Sequence, residues 1–388
     1  MANKAFHNYL NIGNAISNTT SLEISSQPEL WKRTFQTIQD QKERILKFLN
    51  KVYNQKGINI ILTGAGTSAF IGDSLQGPFQ KSTGFLTRSI SSTTLVTHPE
   101  LFLQKDTPTL LISFARSGDS PESIAVLNLV HKICSVDYHL IITCNSIGKL
   151  ITDNNIPNSL VILLPEETND KGLAMTGSFT SMLLSGILIS RINELDKFKP
   201  QIERLISYGE NILSNYTEKL KKVASMKFNR AVFLGSGPLL GIARESNLKL
   251  QELTNGRIIC KNDSYLGFRH GPKSVIDKKT IVIYLFSNNK YAEQFEDDLV
   301  NEICRQDLAM YSIGVLERPN KDHCLDLNII MSESGVTLDE AFLAICYILP
   351  AQILGYFKSI ELGLNPDNPS ESGIILRVVQ GVNIYSYD

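Results

Sequence analysis

The feature of this sequence that most limits its possible folds is an internal repeat. INIILTGAGTS, a β-branched run ending in a glycine-rich turn, opens one half of the chain at Ile58, and AVFLGSGPL opens the other at Ala231. From Gly64 to Ser113 is 49 residues and from Gly235 to Ser287 is 52; from Gly64 to Thr143 is 79 and from Gly235 to Ser312 is 77. Within each half, short apolar β-branched segments alternate with longer helical ones, the pattern of a parallel sheet covered by helices on both faces. Strands are predicted over 58–62, 84–90, 109–115, 138–144 and 159–164, and again over 231–237, 257–262, 280–287, 308–315 and 327–332. The helices between them fall at about 68–79, 121–135 and 173–193 in the first copy, and at 239–254, 290–305 and 338–358 in the second. The expected fold class is α/β, two tandem copies of a five-stranded parallel sheet in a three-layer αβα, flavodoxin-like arrangement.

The repeat divides the chain into a helical lead-in over 1–50, a first copy over 51–200, a charged helical linker over 201–226, a second copy over 227–362 and an extended tail over 363–388. Hydrophobic residues at 43% and charged residues at 20% are close to globular averages and exclude a disordered chain. With 38 Lys and Arg against 39 Asp and Glu there is no electrostatic footprint for nucleic acid or an anionic membrane, so an anionic ligand must be held by local groups. The six cysteines lack metal-ligand spacing and read as buried thiols; no metal and no cofactor are expected. MANKAFHNYLNIGNAISN has no apolar leader core, which points to a cytoplasmic protein. The uncharged runs from Gly172 to Ser190 and from Ala341 to Phe357 read as buried helices rather than membrane spans. They are too apolar all round for a two-domain monomer to cover easily, which predicts a homodimer or larger assembly.

Three places carry candidate chemistry. In ILTGAGTSAFIGDSL a strand runs through a glycine-rich turn into a helix, so backbone N–H groups around Gly66 and the hydroxyls of Thr67 and Ser68 face a point that favours phosphate; the other reading is a capped tight turn. SFARSGDSPESIAV repeats that design with Ser117, Gly118, Asp119 and Ser120 ahead of Pro121, and Arg116 adds a positive charge; it reads as an oxyanion pocket or as a helix cap. In the second copy these turns become GSGPLL and FSNNKY. There, Lys249 and Glu252 stand three apart on one helix face, either as a solvated ion pair or as functional groups, and His270 stands on the loop FRHGP.

GAGTS, ARSGDS, GLAMTGSFT, NLKLQEL and RHGP follow the order seen in sugar isomerase (SIS) domain proteins, and the double unit resembles the isomerase half of glucosamine-6-phosphate synthase. GFRHGPKSVID and the tail GLNPDNP…RVVQGV resemble more narrowly the galactosamine-6-phosphate deaminase family, also called tagatose-6-phosphate ketose/aldose isomerases. The resemblance implies that Thr67, Ser68, Ser117 and Ser120 bind a sugar phosphate, with Thr176 beside it. It implies Glu252 as the proton-transferring carboxylate, Lys249 as the lysine one turn before it, and His270 as a ring-opening histidine that reaches a neighbouring subunit. The implied partner is a phosphorylated hexose or hexosamine. The implied reaction is conversion of D-galactosamine 6-phosphate to D-tagatose 6-phosphate and ammonia, with ketose/aldose isomerisation without deamination and a non-catalytic sugar-phosphate sensor as alternatives. The chain departs from the synthase at Ala115, where that enzyme has serine, at Gly267, where it has glutamate, and in lacking its tail lysine. Since the first cysteine is Cys134, glutamine-dependent amination is not expected.

Overall fold

The computed structural model describes residues 19–153, 156–319, 324–333, 335–370 and 372–387. The opening segment read above for a leader lies outside them. Two parallel five-stranded sheets organise the chain. The first holds β1 (Asn59–Thr63), β2 (Thr87–Ser89), β3 (Thr109–Ala115), β4 (Asp137–Thr143) and β5 (Ser159–Leu163) in the order β2-β1-β3-β4-β5. The second holds β6 (Arg230–Leu234), β7 (Ile259–Asp263), β8 (Thr280–Leu285), β9 (Tyr311–Leu316) and β10 (Leu327–Ile330) in the order β10-β9-β8-β6-β7, the same topology. Every residue of β1, β3, β4 and β8 is buried. A parallel sheet sheathed by helices has no wet face, so these strands read as unbroken apolar runs rather than as alternations.

Strand register fixes the repeat more tightly than sequence spacing does. Thr109 pairs with Asn59 and Thr280 with Arg230, and both residues of the second pair lie 171 positions after their counterparts. That register sets Ser113 against Tyr284 and Arg116 against Ser287, so the alignment of Ser113 with Ser287 suggested by spacing is three residues out.

The turns after β1 and β6 obey the same offset. Gly66 and Gly237 share left-handed dihedrals, φ 54° and ψ −126° against φ 55° and ψ −129°, a region in which side chains with a Cβ are strained. A Cβ on Gly64 would stand 2.6 Å from the backbone carbon of Ser68, and one on Gly235 would stand 2.4 Å from the carbonyl oxygen of Leu239. Both glycines are present because the helix folds back onto the strand end.

The chain forms two compact units that cut it differently from the linear partition. One gathers the described residues up to Pro28, Lys171–Thr176 and Glu203–Ile374, and contains the second sheet; the other gathers Glu29–Asp170, Gly177–Ile202 and the described residues from Ile375 on, and contains the first. The stretch read as a linker is therefore mostly part of the second-sheet unit. Its helix Thr217–Ala224 packs on the helix Leu349–Glu361, and Lys358 Nζ donates to the carbonyls of Ala224 at 2.9 Å and Met226 at 2.8 Å. In the same unit the start of the first helix (Thr19–Asp40), up to Pro28, is tied to the start of the tail where Thr20 Oγ1 donates to Asp367 Oδ1 at 2.7 Å.

Both uncharged runs are helical. All fourteen residues of Gly177–Ser190 are buried, and Gly186 lets that helix approach Leu75 and Phe114. The second run divides into Glu340–Tyr347 and Leu349–Glu361 next to Pro350, and 94% of its most apolar window is buried within the chain. One chain thus covers both helices by itself, which removes the apolar-surface argument for a dimer.

Candidate functional site

In the first-sheet unit the strand order reverses between β1 and β3, and ligands of open parallel sheets settle outside the strand ends at such a point. The two turns leaving those strand ends are the ones carrying Gly66, Thr67 and Ser68, and Arg116, Ser117, Gly118 and Ser120. Thr67 and Ser68 are buried in the first turn of the helix Thr67–Thr83, which no side chain caps. Ser120 occupies the N-cap position of the helix Pro121–Ile133, yet its hydroxyl pairs with the hydroxyl of Ser123 at 2.8 Å and caps no amide. The simple capping role open to Ser120 in the sequence is therefore not the one it plays. Two adjacent helix N-termini without a side-chain acceptor form an environment suited to an oxyanion.

The second turn is braced from β4. Asn145 Nδ2 donates to the Ser117 carbonyl at 2.7 Å, and Asp119 Oδ1 accepts from the Lys149 amide at 3.0 Å. Gly118, at φ 71°, passes close to Gly148. Arg116 is buried at 7% exposure and its Nη2 donates to the carbonyl of Arg377 in the tail, 2.5 Å away. Arg377 in turn donates to Asn169 Oδ1 at 2.7 Å and to the Asp170 carbonyl at 2.8 Å. The tail, expected to lie outside both copies, is therefore fastened next to this turn. Cys144 is fully buried nearby, and burial pushes its thiol up to about 12.

Asp170 escaped the sequence analysis. Its carboxylate accepts from the amides of Gly177 and Ser178, both at 3.0 Å, and so caps the helix Gly177–Ser190. Those amides are occupied by a protein carboxylate. Thr176, just before them, is fully buried and falls in the second-sheet unit.

Lys249 and Glu252 belong to the second-sheet unit, on the helix Pro238–Leu253. They are not a solvated pair. The Lys249 side chain is 0% exposed, its Nζ lying 2.5 Å from Glu252 Oε2 and 3.4 Å from Glu245 Oε1. Glu245 is the residue missed in sequence. At i, i+4 and i+7 the three side chains share one face, and the signal available was a glutamate four residues before the lysine on a helix otherwise packed by leucines. Glu245 is fully buried, whereas the Glu252 side chain keeps 15% exposure, so the row presents one carboxylate outward with an ammonium behind it.

His270 is exposed, between the one-turn helix Tyr265–Phe268 and a 3₁₀ turn at Pro272–Val275. Its loop is held from both sides by a single carboxylate: Glu302 pairs with Arg269 at 2.7 Å and with Lys273. A Cβ on Gly267 would lie 2.6 Å from Asp263 Oδ1 and 2.7 Å from Ser264 Oγ, so a larger residue there would have to displace both side chains. The predicted residues thus fall into two groups, the phosphate-turn candidates in one unit, and Thr176, Lys249, Glu252 and His270 in the other.

The SIS domain model matches residues 51–189. D-galactosamine-6-phosphate deaminase AgaS of Shewanella sp. (strain ANA-3) is 39% identical over 377 residues, 95% of this chain and 92% of the relative. The tagatose-6-phosphate ketose/aldose isomerase structure from Escherichia coli superposes with a TM-score of 0.87 at 34% identity, covering 97% of this chain and 100% of the other. A Clostridium novyi NT protein described as a candidate tagatose-6-phosphate ketose/aldose isomerase gives a TM-score of 0.91 at 43% identity, covering 95% of each chain.

Proposed function

The chain belongs to the SIS-domain family that includes these galactosamine-6-phosphate deaminases and tagatose-6-phosphate isomerases, and on that premise we propose that it converts D-galactosamine 6-phosphate to D-tagatose 6-phosphate and ammonia. It is a sugar-phosphate isomerase/deaminase. The observation that carries the specific chemistry is the buried Glu245–Lys249–Glu252 row, which leaves one carboxylate partly open and backed by a cation.

In this reading the phosphate is held by the two uncapped turns of the first sheet, through Ser68, Ser117 and Ser120 and the neighbouring amides. His270 moves a proton between the ring oxygen and the C1 hydroxyl and opens the hemiacetal. Glu252 removes the C2 proton to give an enolamine and delivers a proton to C1. The C2 imine that results adds water and collapses to the ketose and ammonia. Lys249 orients Glu252, and Glu245 fixes Lys249; neither touches the reacting carbons. The exposure of His270 supports its service to a neighbouring subunit, so the working form proposed is a homodimer or larger.

A substrate with a C2 hydroxyl in place of the amine would leave the same site as a plain ketose. The likeness to the Escherichia coli structure favours this as the second reading. Galactosamine 6-phosphate, glucosamine 6-phosphate and tagatose 6-phosphate offered to the purified chain, with ammonia and ketose measured separately, distinguish the two. Ammonia from galactosamine 6-phosphate is the expected result; none from either amino sugar would refute deamination.

A further inference from the structure

We propose that Cys304 and Cys324 form a redox pair, closed to a disulfide by an oxidant of the peroxide class. Cys134, Cys144 and Cys346 are buried, out of an oxidant's reach, and Cys260 is half-buried on β7 with its thiol donating to the Ile258 carbonyl at 3.7 Å. The remaining two differ. Cys304 sits half-buried in the last turn of the helix Lys290–Arg305, and Cys324 is exposed on the segment leading into β10. Although nineteen residues separate them in sequence, the Cys304 thiol donates to the Cys324 carbonyl oxygen at 3.2 Å. By standard backbone dimensions that contact places the Cys304 sulfur within about 5.6 Å of the Cys324 Cα. Cys304 and Leu325 pack against the same apolar cluster, which holds the two segments together. Joining the sulfurs asks for a side-chain rotation and a shift of the segment at 324 that brings the pair to the spacing a disulfide needs.

The two thiols have different parts to play. Burial, followed by the nearby Cys324 and Asp326, raises the Cys304 thiol above its ordinary value, so Cys304 is the poorer first target of the two. Exposed Cys324 meets the oxidant. Its thiolate attacks one peroxide oxygen, the O–O bond breaks, and sulfenic acid and hydroxide form. The Cys304 sulfur then attacks the Cys324 sulfur; the S–O bond breaks, and the hydroxyl leaves as water with the Cys304 proton. Two thiols and one peroxide give one disulfide and two waters. The link would fasten the helix turn that also carries Glu302, the anchor of the His270 loop.

The test treats the reduced full-length protein with a small molar excess of hydrogen peroxide, followed by denaturing alkylation, intact mass measurement and a non-reduced digest. The expected product is lighter by two hydrogens, reverts with a thiol reductant, and yields one cross-linked peptide joining Cys304 to Cys324. Cys324→Ser should lose the cross-link completely, and Cys304→Ser should leave Cys324 carrying oxygen adducts. Oxygen adducts on Cys324 without a cross-link in the wild-type protein, or a cross-link between any other pair or between two chains, would overturn the proposal. Since Cys324 is exposed, its serine variant serves as the control even if Cys304→Ser folds poorly.

Discussion

Replacing Lys249 by methionine tests the buried row most directly, because the change keeps side-chain length and packing while removing the charge. At an effective dielectric of about 20, unit charges 3.4 Å apart, the separation of Lys249 Nζ and Glu245 Oε1, attract by about 5 kcal/mol. Desolvation of the two fully buried groups costs several kcal/mol for each ion, so the intact row contributes little net stability. The half-row is another matter. Methionine removes the ammonium between two carboxylates on one helix face, Glu245 at 0% exposure, a loss of ~3–5 kcal/mol. The double variant Glu245→Gln/Lys249→Met also removes the buried negative charge and should be the more stable of the two, although it carries one more substitution. Urea unfolding of the four members of the cycle, read as midpoint shifts at constant slope, gives the coupling. A loss below about 1 kcal/mol for Lys249→Met, or simple additivity of the two changes, would show that the ammonium is solvated and the reasoning wrong. Turnover should fall in both variants.

Other outcomes follow from the same site. Glu252→Gln should lower turnover by about 100-fold or more with substrate binding retained, measured by steady-state kinetics beside equilibrium binding. His270→Ala should be slow on cyclic substrate and less impaired on an analogue that cannot cyclise; hybrids re-assembled from Glu252→Gln and His270→Ala chains should regain activity if the two groups meet across subunits, and no recovery in verified hybrids would refute that sharing. Ser117→Ala and Ser120→Ala should each weaken binding of the phosphorylated sugar by about 10- to 150-fold, read by titration calorimetry, with little change for the unphosphorylated sugar. Glu296→Gln should flatten the pH dependence of stability: burial raises Glu296 from 4.5 to about 8, so its stabilising protonated form is lost as pH climbs through that window, and the wild type should fall behind the variant by up to a few kcal/mol at pH 8 in thermal or urea melts.

The fold was legible because its signal is redundant. β3 was bounded correctly from TLLISFA alone, and the strand–glycine–helix turns at Gly64 and Gly235 announced the repeat twice. Spacing misplaced Ser287 by three residues because loops between strands vary in length while register does not. Spacing also put Lys249 and Glu252 on one face. It could not show that the face is buried, since what covers it is the helix Leu349–Glu361, about a hundred residues later, brought close at Gly355. Asp170 was missed because a buried carboxylate is recognised by its partners, and those of Asp170 include the amides of Gly177 and Ser178, which carry no sequence identity. The dimer argument from apolar helices failed because hydropathy reports that a face must be covered but not which chain covers it.

The register also shows why duplication did not yield two equivalent sites. Counting back 171 positions from Glu245, Lys249 and Glu252 reaches Ser74, Pro78 and Lys81, so the first copy's corresponding helix has neither carboxylate nor the buried ammonium. The second copy, conversely, fills its own counterpart of the phosphate turn. The Ser287 amide donates to Glu296 at 2.9 Å, the Ser287 hydroxyl donates to Glu340, and Asn289 caps the helix Lys290–Arg305 through the Tyr291 amide at 2.9 Å. The amides and hydroxyl of that turn are taken by protein side chains, where the first copy offers uncapped helix ends and serine hydroxyls. On the proposed reaction, then, the first copy keeps its turns open for the anion but lacks the Glu245–Lys249–Glu252 row, and the second carries the row while its own turn is filled.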